Sequence, residues 1–240
     1  PLSAVDTETT SLEPMTAQMV GISLSVAEHA ACYIPLAHDY AGAPDQLTRE
    51  HVLAKLRPWL EDANKPKLGQ NLKYDSHIFA NHGVTLRGIA HDTLLESYVF
   101  ESHKKHDMDS LALRHLNYTT IPFEDVCGKG AKQITFNQVE VEQAAKYAAE
   151  DADVTLRLHN AMWGNVANDE KLTFIYEKIE MPTAVVLQKI ERNGVLIDDE
   201  LLNIQSAELA VKILELEKKA YELAEQPFNL GSPKQIGEIF

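Results

Sequence analysis

Cysteine is almost absent from this 240-residue chain, with Cys32 and Cys127 the whole supply. The two lie far apart and neither sits in a C-x-x-C or cysteine/histidine ligand spacing, which excludes a disulfide framework and a zinc-finger site. Both read as reduced bystanders. Positive charge is scarce too: 22 lysines and arginines face 36 aspartates and glutamates, a formal net charge of −14. A broad basic surface of the kind that displaces counterions from duplex nucleic acid is therefore excluded. That leaves room for a few nucleotides of single strand held through metal ions, with a neighbouring domain gripping any duplex. No apolar run approaches the roughly 18 residues of a membrane span. Pro1 to Val5 lack the basic start and cleavage site of a secretory leader, so a cytoplasmic chain with no membrane partner is expected. Internal repeats and low-complexity tracts are missing as well, which excludes a solenoid.

What is present is ordinary globular material, 45% hydrophobic and 24% charged, enough for one full core and a smaller appendage. Three strand-like runs open the chain at Leu2 to Asp6, Met19 to Val26 and Ala31 to Pro35, and the short links between them favour antiparallel neighbours. Thr48 is placed to cap a helix to about Asp62, with Pro58 bending it. A short run, Lys67 to Gln70, precedes a helix from Lys73 to His82 closed by Gly83. The order then repeats: Gly88 to His91 leads to a helix from Thr93, another helix follows Asp107, and a loop with Pro122, Gly128 and Gly130 precedes a long helix from Val141 to Trp163. A meander followed by alternating strands and helices implies an α/β fold, a mixed sheet flanked by helices.

Small and polar residues from Gly164 to Asp169 interrupt two helical patterns, which places a domain boundary between residues 167 and 168. Beyond it the chain reads as helical, from Lys171 to Arg192 and from an Asp198 cap to Glu225. Ser232-Pro233 looks like the N-cap and N1 pair of one more helix, close enough to Phe240 that the chain reads as a fragment.

Three places offer chemistry. In Asp6-Thr7-Glu8, residues two apart on a strand share a face, so both carboxylates project together where the strand is expected to leave the sheet. Like charges held that close repel unless a cation lies between them. A solvated turn reads from the same residues. In Tyr147-Ala-Ala-Glu-Asp151, positions i and i+4 put a phenol and a carboxylate on one helix face, although a core tyrosine beside a surface acid fits equally well. In Gln70-Asn71-Leu72-Lys73-Tyr74-Asp75, the acid falls in a first helical turn, where the helix dipole alone would favour it. Together, three sites that each deliver carboxylates suit divalent cations such as Mg²⁺, which prefer oxygen ligands.

The order D-T-E-T, N-L-K-Y-D and Y-x-x-x-D resembles the three motifs of the DnaQ-like exonucleases (DEDD type, tyrosine subtype). The wider sequence is similar to the proofreading domain of bacterial family A DNA polymerases. Supporting matches run along the chain: I-P-L-A-H-D-Y (34 to 40), H-D-M-D-S-L-A (106 to 112), T-F-N-Q (135 to 138) and I-E-R-N-G-V (190 to 195).

The resemblance implies an RNase H-like fold over residues 1–167, with its first strand cut short, and 168–240 as the helical start of a polymerase region without that region's catalytic acids. It implies 3′→5′ hydrolysis of single-stranded or frayed DNA 3′ ends by a monomer, with the polymerase domain of the parent chain as partner. Two divalent ions are implied, Mg²⁺ first, with Mn²⁺ or Zn²⁺ as substitutes. Asp6, Glu8 and Asp151 would hold one, Asp6 and Asp75 the other, and Tyr147 would orient the attacking water. Leu12 and Phe123 match positions that pack on terminal bases, and Thr7, Gln70, Asn71 and Tyr74 are expected near sugar or phosphate. A ribonuclease D-like enzyme shares the carboxylate order. An inactive structural module is the remaining alternative.

Overall fold

Branched and small apolar residues build the first half of the sheet. The computed structural model, which describes residues 1–240, places β1 at Ser3–Thr9, β2 at Met19–Ala27 and β3 at Ala30–Pro35. Two short strands, β4 (Lys67–Gly69) and β5 (Ile89–Asp92), complete a sheet of order β3-β2-β1-β4-β5. The strand β1 is central, antiparallel to β2 and parallel to β4. This is the expected mixed α/β sheet, with one difference. The strand does not leave the sheet at Asp6: pairing with β2 continues through Asp6↔Ser23 and Glu8↔Gly21, so the D-x-E carboxylates rise from inside a strand.

Helices cover the sheet. α1 (Arg49–Leu60) starts at Thr48, whose hydroxyl accepts the His51 N–H at 3.3 Å, and carries Pro58 in its last turn. Val52, Leu53 and Leu60 of α1 join Ile22, Leu72, Ile78 and Phe79 in the largest buried cluster. Fully burying side chains of this size stabilises by about 1.5–3 kcal/mol each. α2 (Leu72–Asn81) ends as expected beside Gly83, at φ +71°. α3 (Thr93–Phe100) follows β5 directly, and α4 (Met108–Leu111), capped by Asp107, runs on into a π-helical turn at Ala112–Leu116. After the short α5 (Phe123–Cys127) comes α6 (Val141–Ala167), whose buried Ala144, Ala148 and Ala152 let it lie close against β1, β2 and β3.

The first compact unit takes in chain on both sides of residue 167, where the sequence places the end of the exonuclease-like region. α7 (Glu170–Ile175), a π-helical turn (Tyr176–Glu180) and α8 (Met181–Asn193) continue it, and the first unit runs Pro1–Asn193. The reason is specific contact with α2 and β5. Glu191 pairs with Lys73 Nζ at 2.7 Å and His77 Nε2 at 2.9 Å, while the buried Tyr176 hydroxyl accepts the Asp92 N–H at 2.9 Å. The second unit, Gly194–Phe240, holds α9 (Asp199–Ala224), capped by Asp198, and α10 (Pro233–Ile239), capped by Ser232. No helix in the chain is long and apolar enough to cross a membrane.

Gly21 is fixed by its neighbour. A Cβ there would stand 2.1 Å from the Tyr33 hydroxyl, and that ring cannot swing freely because the hydroxyl is bound to His38 Nε2 at 2.8 Å. Gly21→Ala is expected to destabilise the chain by about 1–3 kcal/mol in urea unfolding. In a Tyr33→Ala background the same change should cost far less; an equal cost in both backgrounds would show that the ring is not the obstacle.

Candidate active site

Three elements converge at one end of the sheet. β1 supplies Asp6 and Glu8, two residues apart and on one face, and α6 supplies Asp151; oxygens of these three carboxylates lie within 4.8 Å of one another. Asp75 arrives from α2 by a different route. Ladder pairing between β1 and β4 ends at Ala4, so the next stretch of that β1 edge is open. There the Thr7 N–H donates to Asp75 Oδ1 at 2.9 Å and the Thr7 hydroxyl to the same oxygen at 2.6 Å. Thr7, expected near substrate, is a buried tether for Asp75.

The electrostatics of the cluster are severe. Glu8, Asp75 and Asp151 are buried and Asp6 is half-buried. Burial pushes the Asp6 carboxyl up to about 6 against the help of Ser23 and the Thr7 N–H. Glu8 is held well above the usual carboxylate range by burial and then by the charges of Asp6, Asp151 and Asp75. Asp75 and Asp151 are raised in the same way, first by burial and then by Asp6. No lysine or arginine lines the cleft, and Glu8 Oε1 is buried with no hydrogen-bond partner. An all-oxygen donor set, crowded and without a counter-charge, fits hard divalent cations.

Every residue singled out in the sequence lines the same cleft, a cavity of about 750 Å³. Tyr147 keeps its proton, because burial and the charges of Asp151, Glu8 and Asp6 push its phenol upward; Phe123 and Phe136 pack on its ring at 6.2 and 5.9 Å. Leu12 is 91% exposed and Phe123 41%, so both stand at the rim rather than in the core. The polar residues divide. Asn71 is exposed. Gln70 is occupied internally, its amide donating to His106 O at 2.9 Å and its carbonyl accepting from Thr93. The Tyr74 hydroxyl donates to Ser11 O at 2.6 Å and lies 2.5 Å from Thr9 Oγ1, bracing the loop that carries Leu12.

Two contributors were not legible in the sequence. Glu150, beside Asp151, accepts the Tyr118 hydroxyl and the Ile121 N–H, each at 2.6 Å, and so holds the segment leading to Phe123 against α6. Asp92 is buried and serves two helices at once. Its Oδ1 accepts from Asn71 N and Leu94 N at 3.0 Å and from Leu95 N at 3.4 Å, and its Oδ2 from Leu72 N at 2.8 Å. It thereby holds Asn71 in a left-handed conformation, φ +63°, at the turn that launches α2 and Asp75. An aspartate directly before a helix start is an ordinary N-cap, but its second set of partners, about twenty residues upstream, carries no local signal.

A family profile described as 3′-5′ exonuclease matches residues 2–167. The chain therefore belongs to the 3′-5′ exonuclease family, whose use of divalent metal agrees with the acidic cluster. Among curated proteins it is similar to the DNA polymerase I of Pseudomonas aeruginosa, 56% identical over 241 residues that cover 99% of this chain and 26% of that protein. The DNA polymerase I of Rhizobium leguminosarum is 41% identical over 256 residues, covering 99% and 25%. The chain thus spans about a quarter of the length of these relatives. Among solved structures, the POL domain of Pol1 from M. smegmatis, in complex with DNA primer-template and dNTP, aligns at TM-score 0.73 and 25% identity over 99% of this chain and 36% of that one. NrnC of Brucella melitensis aligns at 0.57 and 19% over 82% and 88%, a likeness of fold alone. The fold is the RNase H-like α/β arrangement that the motifs imply.

Two expectations follow. Asp92→Ala would strand four backbone N–H groups at two helix starts and should cost about 2–4 kcal/mol in urea unfolding, given about 1 kcal/mol per lost cap and more for buried donors. The second concerns pH. Without metal, the raised carboxyls make the folded chain hold protons that the unfolded chain, with carboxylates near 4, releases. The Asp6 contribution is therefore neutral to folding below about 4 and becomes unfavourable as pH rises through about 6. In chelator, Asp6→Asn should be more stable than wild type at pH 7, with the gap closing toward pH 4; a gap that widens on acidification would contradict the assigned repulsion.

Proposed function

We propose that the chain removes nucleoside 5′-monophosphates from single-stranded or frayed DNA 3′ ends, as the proofreading part of a DNA polymerase I whose polymerase region is its partner within the parent chain. The observation that carries this reading is an open cleft floored by four crowded carboxylates with no protein cation to neutralise them. By its grouping, Asp6, Glu8 and Asp151 would hold one divalent ion, and Asp6 with Asp75 a second; Mg²⁺ is the first choice for such oxygen ligands. Bound there, a pair of ions would acidify the attacking water and neutralise charge on the departing 3′ oxygen.

The chain's own groups do the remaining work. Glu8 Oε1, buried and unpartnered, is free to accept a proton from water. Tyr147, held protonated by burial and nearby charge, donates a hydrogen bond that fixes the orientation of that water. Thr7 keeps Asp75 in place through two hydrogen bonds to one oxygen. Leu12 and Phe123 at the rim offer surfaces for terminal bases, and stacking on an aromatic is indifferent to sequence at about 1–3 kcal/mol per base. Such indifference suits an editor that must accept every mispair.

A labelled single strand with Mg²⁺ tests this directly. Wild type is expected to shorten it from the 3′ end and to stop in chelator, while Asp75→Ala should fall by about two orders of magnitude or more, in line with losses of electrostatic and metal-orienting groups. Equal degradation by wild type and variant would refute the site. Faster cleavage of the matching ribo-oligonucleotide would favour a ribonuclease D-like activity instead. Thr7→Val keeps the volume but removes the hydroxyl tether, and should raise the Mg²⁺ concentration for half-maximal rate about tenfold, the lower end of the range for groups that orient metal ligands.

A further inference from the structure

A second cluster of ligand-type side chains lies outside the cleft, where β5, α3 and α6 meet. His91 comes from β5, Glu96 from α3 and His159 from α6, two turns beyond Asp151. Their ligand atoms lie within 4.8 Å of one another. His159 Nδ1 stands 2.8 Å and His91 Nδ1 3.1 Å from the same oxygen, Glu96 Oε1.

The carboxylate of Glu96 has no access to solvent, and in ion-pair range it has only these two imidazoles. A buried carboxylate needs a proton or a cation beside it. A proton shared with His159 satisfies only part of the cluster. Glu96 Oε2 remains buried without a partner, and His91 Nδ1, close as it is, is not aligned for a hydrogen bond. A single dication would answer for all three groups.

We propose that His91, Glu96 and His159 form a structural transition-metal site that takes Zn²⁺ in preference to Mg²⁺. Two imidazoles and one carboxylate are a zinc donor set, and nitrogen ligands select against Mg²⁺. With ligand bonds of about 2.0–2.1 Å, the edge of a tetrahedron is about 3.3 Å, so the two nitrogen–oxygen separations, 2.8 and 3.1 Å, need to open only slightly. The partly exposed His91 leaves a way in for the ion and for a water as fourth ligand. An ion there would tie the end of β5 to α3 and α6, next to Asp92 and the turn that launches α2.

Zn²⁺ would also enter the carboxylate cleft, so the test uses the full chain with Asp6→Asn and Asp151→Asn. After chelation, addition of Zn²⁺ and gel filtration, elemental analysis is expected to find one zinc per chain, weakened by about 100-fold or more on His91→Phe, as for loss of a metal ligand rather than of its support. That substitution keeps an aromatic ring against Trp163, whose centroid is 4.5 Å away. His91→Gln provides a second variant should the ring misfit. In a Trp59→Phe background, which leaves Trp163 as the only tryptophan, Co²⁺ should quench fluorescence with the same stoichiometry and lose that effect with His91. Zinc absent from the cleft-disabled chain, or binding unchanged by both His91 variants, would overturn the proposal.

Discussion

Four carboxylates brought into one partly dry space are the constraint around which the rest of the molecule is arranged. At a few ångströms their mutual repulsion is modest in water but grows several-fold as the surroundings lose dielectric strength. The fold holds them together because they come from three rigid sources: two from the central strand, one from a helix tethered to an open strand edge, one from a long helix seated by alanines. No single element could relax to separate them. Stability surrendered by the metal-free protein would be recovered on cation binding, since a ligand that binds only the folded state stabilises it.

Asp92 and Glu8 show how the same chemistry is put to opposite ends. Both are buried acids raised by burial. Asp92 is surrounded by four backbone N–H groups and fixes two helix starts. Glu8 faces other carboxylates and has an oxygen with no partner. Satisfaction of the lone pairs, rather than burial or acidity, separates the structural acid from the one free to engage a cation or a proton.

The parts of this arrangement that depend on local period were legible in the sequence. Asp6 and Glu8 share a face because strands repeat every two residues, and Tyr147 and Asp151 because helices bring i and i+4 together. Strand and helix positions followed from the same periods, with β1 longer than its apolar run because Thr7 and Glu8 pair in the ladder despite their polarity. Contacts between distant residues were not legible. Nothing near Thr7 announces that it will hold Asp75, 68 residues on, or that Glu96 will meet His159, 63 residues on. The dip in composition around Gly164 marks the end of α6, yet the compact unit continues because Glu191 reaches back to Lys73 and His77. Polar residues near the motif were the least readable: Gln70 could face a phosphate or a backbone carbonyl, and only the fold decides that it meets His106.

The net charge of −14 also finds its place in this arrangement. A polyanion approaching an acidic protein gains nothing from diffuse attraction, so binding must be local. Cations gathered by the carboxylates would turn the floor of the cleft from a repulsive surface into the one place where a phosphate is welcome. On the proposed function, apolar rim residues such as Leu12 and Phe123 would then act on unpaired bases, which a stacked duplex does not present. By the same reading, an acidic surface that disfavours intact duplex, around a cleft that becomes attractive only with cations bound, would select a frayed end through what the rest of the protein lacks.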